Sequence, residues 1–191
     1  MKDFLRNGFD LILKHIISQL GMTMFGLAVI FAVNMIAGKD SPLLLAASGL
    51  GIALYLFLIY VHTWEYGSKD KIKIDGGRMK YEPFKGLYIA IVANALNILL
   101  SLLMCIGFYA YDFVALAPNW AGQLFAVTNI ISRALNGMYL GAIVYLFPTA
   151  EATPPYMFLL IVIPAVIISF LAYYFGANNK RLFPPKNSSK K

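Results

Sequence analysis

Residues 43–62 read LLLAASGLGIALYLFLIYVH, twenty positions without a Lys, Arg, Asp or Glu. A helix needs about 20 predominantly apolar residues to cross the ~30 Å hydrocarbon core of a bilayer. Comparable runs cover residues 21–37, 87–111 and 156–176, and a less regular one covers 121–147. The chain is therefore predicted to be an all-α, polytopic membrane helix bundle with five or six transmembrane helices.

The composition leaves little room for a separate soluble domain. The 191 residues are 60% hydrophobic and carry a formal net charge of +7. We expect a single integral membrane domain over residues 1–191, with a basic loop at 67–86 and a basic, flexible tail at 178–191. Most cations fall close to a predicted span. Their position indicates retention on the cytoplasmic side and attraction to anionic lipid headgroups, and it argues against nucleic-acid binding.

The distribution of Lys and Arg predicts a multi-pass protein of the plasma membrane with a cytoplasmic amino terminus, but it leaves the number of crossings open. If residues 121–147 form one span, five helices cross and the basic tail lies outside. If the chain turns back near residues 132–137, six helices cross, or four and a re-entrant pair. Fifteen of the sixteen Lys and Arg residues are then cytoplasmic and only Lys39 is external. We favour this even arrangement because cytoplasmic loops of membrane proteins are enriched in Lys and Arg.

The basic loop has a period-two pattern. Residues 71–74 read KIKI and residues 78–81 read RMKY, on either side of Asp75, Gly76 and Gly77. Because Gly tolerates the positive φ of a tight turn, the pattern predicts a short cytoplasmic β-hairpin. Two strands need support from the membrane surface or a partner, so the loop is either a docking surface for anionic lipid or protein, or a solvated basic loop. The candidate contact residues are Lys69, Lys71, Lys73, Arg78 and Lys80.

Polar residues recur at helical spacing in two of the apolar runs. Their separations of three and four residues would place each set on one face of a continuous helix. Two such stripes could line a polar cleft that binds a solute. They could equally hold the bundle together through interhelical hydrogen bonds. The candidate ligand-binding residues are Asn94, Asn97, Ser101, Asn129, Arg133 and Asn136.

The location and role of Arg133 depend most on the number of crossings. With five spans it lies near mid-bilayer, where insertion of an Arg costs about 2.5–3.5 kcal/mol on translocon scales. No Asp or Glu lies in any of the apolar runs, so the cation would face a cavity, an anionic ligand or a lipid headgroup. With six spans it is a residue of a cytoplasmic turn.

No pattern of residues indicates an enzyme. The single cysteine is Cys105, and the two histidines, His15 and His62, lack metal-ligand spacing. No nucleophile is paired with a base. We therefore expect no catalytic residue, no metal and no cofactor. His62 with Glu65 could sense protons, but a hydrogen-bonded histidine at the membrane boundary is the simpler interpretation.

Two groups of membrane proteins show similar features. The residues YGSKD at 66–70, GRM at 77–79 and KGL at 85–87 resemble a pattern in uncharacterised small multi-spanning membrane proteins of Gram-positive bacteria. The length of 191 residues, six helices with both ends inside and the Ala28/Ala32 pair are similar to the substrate-binding subunits of energy-coupling-factor transporters. This similarity implies substrate binding and contact with a transmembrane partner through the small residues. The basic loop is not part of that pattern.

The expected function is a small-solute binding or transport component of a larger complex, acting with a membrane protein partner or as a homo-oligomer. The alternative is a non-transporting accessory or regulatory subunit. Such a subunit would bind anionic lipid or a protein partner through the basic loop.

Overall fold

The computed structural model describes the backbone of residues 2–38, 41–113, 119–147 and 153–180, and the side chains of residues 8–38, 41–111, 119–147 and 153–180. Throughout these ranges the regular structure is helical and contains no strand, which confirms the predicted all-α class. Lys39 and most of the predicted tail, residues 181–191, lie outside the described residues. The helices are α1 (Lys2–Ala37), α2 (Leu43–Asp75), α3 (Lys85–Ala93), α4 (Ala95–Phe113), α5 (Asn119–Leu135), α6 (Gly137–Leu146), α7 (Met157–Leu160) and α8 (Ile163–Ala177).

Three helical segments are long and apolar enough to cross a membrane: Gly8–Ala37, Leu43–Asp75 and Met157–Ala177. The helices α3 and α4 would make a fourth crossing if counted as one span, although they are bent by 57° at Asn94. In the described part of the chain three or four helices are thus long and apolar enough to cross a membrane, and the predicted five or six are not shown. Residues 121–147 account for the difference, because they form two helices of 17 and 10 residues that are separated at Asn136.

The bundle has an apolar exterior and a partly polar interior. Large apolar side chains such as Met35 and Ile36, both 87% exposed, and Ile130, 70% exposed, cover its outer surface. Polar side chains such as Ser101 and Ser169 are almost fully buried. A water-soluble domain shows the opposite distribution, and an extended apolar surface marks contact with a membrane or another protein. This arrangement is compatible with an integral membrane protein.

The described chain begins and ends at the same end of the bundle. His15 near the start of α1 is hydrogen-bonded to Thr63 in the second half of α2, with 2.9 Å between Nε2 and Oγ1. Gly176 near the end of α8 packs against the backbone of Trp64. The first residue of α3, Lys85, reaches Asp70 of α2. The start of α1, the end of α2, the start of α3 and the end of α8 therefore meet in one region.

The predicted β-hairpin is wrong. Helix α2 continues to Asp75, so residues 71–74 are helical, and α3 starts at Lys85 after a short turn. The alternation of Lys and Ile in residues 71–74 is equally compatible with a helix, because Lys71 pairs with Asp75 one turn later. Gly76 caps the helix, and Gly77 takes the positive φ of +68° that ends it.

Helices α5 and α6 meet deep inside the bundle. Thr23, near the middle of the span Gly8–Ala37, donates through Oγ1 to the carbonyl oxygen of Leu135 at 2.7 Å. A Cβ added to Gly26 would lie 2.5 Å from the Cα of Met138, so the two backbones are in direct contact. Further along α6, Gly141 packs against Leu44 at the start of α2. Helix α6 thus runs from mid-depth towards the end of the bundle opposite the chain ends.

Candidate functional site

The polar stripe of α5 lies on the side of the helix that faces the bundle. Ser132 and Asn136 are buried at 2% and 4% exposure, whereas Ile130 and Ile131 on the other side are exposed. The amide of Asn136 donates to the carbonyl oxygen of Ser132 at 2.9 Å. The hydroxyl of Ser132 has no described hydrogen-bond partner. The expected shared face of this stripe is therefore present up to the break at Asn136.

Arg133 is half-buried beside the segment that leads into α7. Its Nε donates to Asn129 Oδ1 at 2.8 Å and its Nη2 donates to Thr153 Oγ1 at 3.1 Å. The guanidinium carbon lies 5.9 Å from the ring centroid of Phe158, within the range of a cation–π interaction. No carboxylate in the described ranges is within ion-pair distance of Arg133, and Glu151 lies outside those ranges. These contacts use two of the five N–H donors of a guanidinium.

The depth of Arg133 in the bundle follows from the contact that the end of α5 makes with α1. Leu135, two residues later, is hydrogen-bonded to Thr23 near the midpoint of the first span. A residue at the end of the bundle where α1 starts and α8 ends would instead lie level with His15 and Thr63. Arg133 thus lies near the middle of the bundle, between α5 and the segment before α7.

The second polar stripe lies where α3 gives way to α4. Asn94, Asn97 and Ser101 are all buried, at 5% exposure or less. Asn94 donates to the carbonyl oxygen of Ala90 at 2.9 Å, Asn97 donates to Asn94 Oδ1 at 3.3 Å, and Ser101 donates to the carbonyl oxygen of Asn97 at 2.7 Å. Each of these bonds stays within the α3–α4 segment. In the part of the chain described, no hydrogen bond joins this stripe to the stripe on α5, so these side chains do not act as direct interhelical links.

Polar residues of α1 extend the interior between the two stripes. Gln19 and Thr23 are buried and both donate to the carbonyl oxygen of Leu135, which the break after α5 leaves without a helical partner. Ser18 lies 3.4 Å from Nδ1 of His62. Sequence reasoning did not assign these α1 residues to the interior. Their spacing of three and four residues, continuing from His15, could have indicated it.

The five candidate cations of the basic loop are distributed over different surfaces. Lys69 and Lys73 line a cleft of about 400 Å³ between α1 and α2, together with Lys14. Lys71 faces a different depression beside α8 and pairs with Asp75. Arg78 and Lys80 follow the end of α2 and are exposed. Lys69 and Lys73 thus line a different depression from Lys71, and the role of the five cations as lipid or partner contacts stays a prediction.

A buried ion pair near the chain ends was missed by the sequence reasoning. Asp70 is 0% exposed and Lys85 is 4% exposed, with Lys85 Nζ 2.6 Å from Asp70 Oδ2. Tyr173 donates its hydroxyl to the same carboxylate oxygen at 3.2 Å, and Lys73 Nζ lies 3.3 Å from the other oxygen. The ammonium of Lys85 also sits 4.9 Å from the ring centroid of Tyr66. The carboxylate of Asp70 thus joins α2, α3 and α8.

The backbones of α2, α3 and α8 approach each other closely around this ion pair. A Cβ on Gly67 would lie 2.7 Å from the carbonyl oxygen of Tyr173, and one on Gly86 would lie 2.5 Å from the Cβ of Tyr173. Only glycine lets the three helices come near enough for Asp70 and Lys85 to meet. Within the described residues no group of His, Cys, Asp and Glu could hold a metal ion.

No protein-family model matches the chain, and neither curated proteins nor solved structures give a significant match. The resemblances to small Gram-positive membrane proteins and to energy-coupling-factor subunits therefore stay predictions. In the structure, Ala28 and Ala32 lie on the exposed side of α1. A membrane protein partner or a homo-oligomer likewise remains a prediction.

Proposed function

We propose that this chain is an integral membrane protein that binds a small polar or anionic solute in its interior and carries it across the membrane. The observation that supports this most is the pair of helix breaks inside the bundle, at Asn94 and at Asn136. Non-helical backbone at membrane depth is tolerated only where it is buried in protein or lines a water-filled cavity. Many transporters place their binding sites at such discontinuous helices.

The proposed topology has four crossings and a re-entrant pair. Helices α1, α2, α3 with α4, and α7 with α8 cross the bilayer, while α5 enters from one side and α6 returns to it. The meeting of the chain ends in one region supports this even number. The described lysines of α1 and of the segment between α2 and α3 lie at that end, which the positive-inside rule assigns to the cytoplasm. The solute would then enter from the external side, in the plasma membrane.

The proposed binding residues keep the roles that the sequence indicated, with Arg133 at the centre. A guanidinium with donors that the described residues leave unused suits a carboxylate, phosphate or sulfate group, because these acceptors match its fork geometry. Asn129 and Thr153 hold the guanidinium in place through the bonds described above. Asn94, Asn97 and Ser101 use donors within their own helix, which leaves oxygen lone pairs for the solute. An amide or hydroxyl oxygen retains such acceptor capacity after it has donated.

Thiol accessibility tests whether water, and hence a solute, reaches this interior. Cys105 is first replaced by Ser, and single cysteines are then introduced by Asn129→Cys and Arg133→Cys. A membrane-impermeant methanethiosulfonate reagent applied from outside intact cells should modify both. Ile130→Cys is the matched control, because this residue of the same helix is 70% exposed on the apolar exterior and a lipid-facing thiol does not ionise.

Two results would contradict the proposal. One is protection of positions 129 and 133 in folded protein from the reagent on both sides of the membrane. The other is equal labelling of all three positions, which would mean that α5 is simply exposed to water.

A thermal-shift series with acetate, phosphate and sulfate then asks whether a shift seen with the parent protein is lost in Arg133→Ala. An equal shift in both proteins would remove Arg133 from the site.

A further inference from the structure

A charged cleft separates α1 from α2 at the end of the bundle where the chain begins and ends. It encloses about 400 Å³ and is open on one side. Its polar walls carry Lys14 from α1 and Lys69 and Lys73 from α2, together with two carboxylates, Asp10 and Glu65. It is separate from the interior around Arg133, which lies on α5 at mid-depth.

The three lysines of the cleft are accessible, and two of them, Lys14 and Lys73, are only weakly paired. The side chains of Lys14, Lys69 and Lys73 are 46%, 61% and 50% exposed. Lys69 pairs with Glu65 at 2.6 Å, whereas Lys14 is 4.0 Å from the same carboxylate. Lys73 shares Asp70 with the buried Lys85, which is the closer cation to that carboxylate. The ammonium groups of Lys14 and Lys73 can therefore turn to a ligand without breaking a strong ion pair.

The charge balance of the cleft favours a ligand with one negative charge. Three lysines face two carboxylates along its walls, so the lining carries one net positive charge, which a phosphodiester would neutralise. The carboxylates of Asp10 and Glu65 can accept hydrogen bonds only, which suits hydroxyl groups on the ligand. A phosphodiester that carries a hydroxylated group provides both features.

The cleft continues into an apolar surface. Leu13 and Ile17 line it and are 43% and 59% exposed. Leu13 lies one helical turn from Ile17 on one side and from Phe9, 59% exposed, on the other, so the three form a single exposed apolar stripe of α1 beside Lys14. A soluble phosphate would leave this stripe without a partner, whereas an acyl chain would cover it.

We propose that this cleft binds the headgroup of an anionic glycerophospholipid with a hydroxylated headgroup, of the phosphatidylglycerol type. Lys14, Lys69 and Lys73 hold the phosphodiester, Asp10 and Glu65 accept from the headgroup hydroxyls, and an acyl chain lies along Leu13 and Ile17. The proposal uses the placement of the bundle in a membrane but not the solute site at Arg133. Each can fail without the other.

Native mass spectrometry of the full-length protein in detergent measures this binding directly. Phosphatidylglycerol and phosphatidylcholine with identical acyl chains are titrated separately. The parent protein should bind one phosphatidylglycerol about tenfold or more tightly than phosphatidylcholine, and K14Q/K69Q/K73Q should lose most of that preference. The control is K71Q/R78Q/K80Q, which removes three charges from the same segment and also breaks one exposed i,i+4 pair. The control should retain the preference to within about twofold, because its cations lie outside the cleft.

Three outcomes would overturn the proposal. The first is an equal loss in the two triple variants, since that would indicate unspecific attraction to basic charge. The second is equal binding of the two lipids by the parent protein. The third is displacement of phosphatidylglycerol by millimolar glycerol 3-phosphate or inorganic phosphate, which would assign the cleft to a soluble anion. If the triple variant fails to fold, Lys14→Gln alone serves, because the ion-pair contact of this exposed lysine with the described residues is the 4.0 Å one to Glu65. An unchanged lipid preference in Lys14→Gln would refute the model.

Discussion

Replacing Asp70 by Asn tests the buried ion pair with little change in shape. The asparagine can still accept from Tyr173, but the ammonium of Lys85, only 4% exposed, loses its carboxylate. Removing one partner of a buried pair costs about 3–5 kcal/mol, because the remaining charge stays desolvated. The ring of Tyr66 beside Lys85 recovers part of this. We therefore expect a loss of about 3 kcal/mol in the free energy of unfolding.

The assay is reversible unfolding in mixed micelles at increasing mole fractions of sodium dodecyl sulfate, followed by tryptophan fluorescence and circular dichroism. Asp75→Asn is the matched control, since it makes the same change five residues later in the same helix. Its carboxylate is 60% exposed and pairs with an accessible lysine, so its loss should cost below about 1 kcal/mol. Equal effects of the two substitutions would refute the reasoning.

A double-mutant cycle separates the pair from other effects of each substitution. Lys85→Met leaves the carboxylate of Asp70 buried and should destabilise by a similar amount. The variant Asp70→Asn/Lys85→Met removes both charges. Its loss of unfolding free energy should therefore be smaller than the sum of the two single losses by about 2 kcal/mol or more. Additive losses would mean that the two charges do not stabilise the fold through each other.

Two further substitutions, one of them with a control, test the packing. Gly176→Ala should destabilise the bundle by about 1–3 kcal/mol, because its Cβ would collide with the carbonyl oxygen of Trp64. Gly49→Ala, whose Cβ would meet nothing within 4 Å, should be neutral or slightly stabilising by the same micelle assay. A similar change in both variants would show that the effect of Gly176→Ala does not come from a close α2–α8 contact. Thr23→Val removes the donor to Leu135 and should cost about 1–2 kcal/mol. Unchanged unfolding of Thr23→Val would argue against the position of the α5–α6 turn.

The sequence predicted the helical class and a break near residues 132–137, but not the depth of that break, and the predicted reversal of the chain there stays a prediction. Asn136 with Gly137 marks a break in the pattern, and the helix does break there. The depth depends on which residues of α1 the turn meets. The contact of Gly26 with Met138 that fixes it joins residues far apart in the chain and has no periodic signal. Hydropathy alone therefore could not distinguish a crossing from a re-entrant pair.

The end of α2 was misjudged for a different reason. The apolar run stops at His62, but the buried side of the helix continues through Thr63, Gly67 and Asp70 at spacings of three and four residues. Extending the helical period beyond the apolar run would have predicted a longer helix and placed Asp70 in the interior. The pairing with Lys85 depends on the turn after Gly76, so it required the structure.

The candidate solute site could be predicted only in part from the sequence. The shared face of Ser132 and Asn136 followed from spacing, and the structure places it inwards. Thr153 and Phe158, which contact Arg133, were not predicted, because they approach from a segment about twenty residues away. A stripe on one helix cannot identify the element that will face it.

The central claim is that the chain crosses the bilayer an even number of times, so that residues 119–147 do not form a single crossing. Fusions of a reporter enzyme at the amino terminus and after Lys191 test it directly, if each reporter is active on only one side of the membrane. The account predicts that both ends report the cytoplasm. A cytoplasmic amino terminus with an external carboxyl terminus would contradict it, because the number of crossings would then be odd and the re-entrant arrangement could not hold.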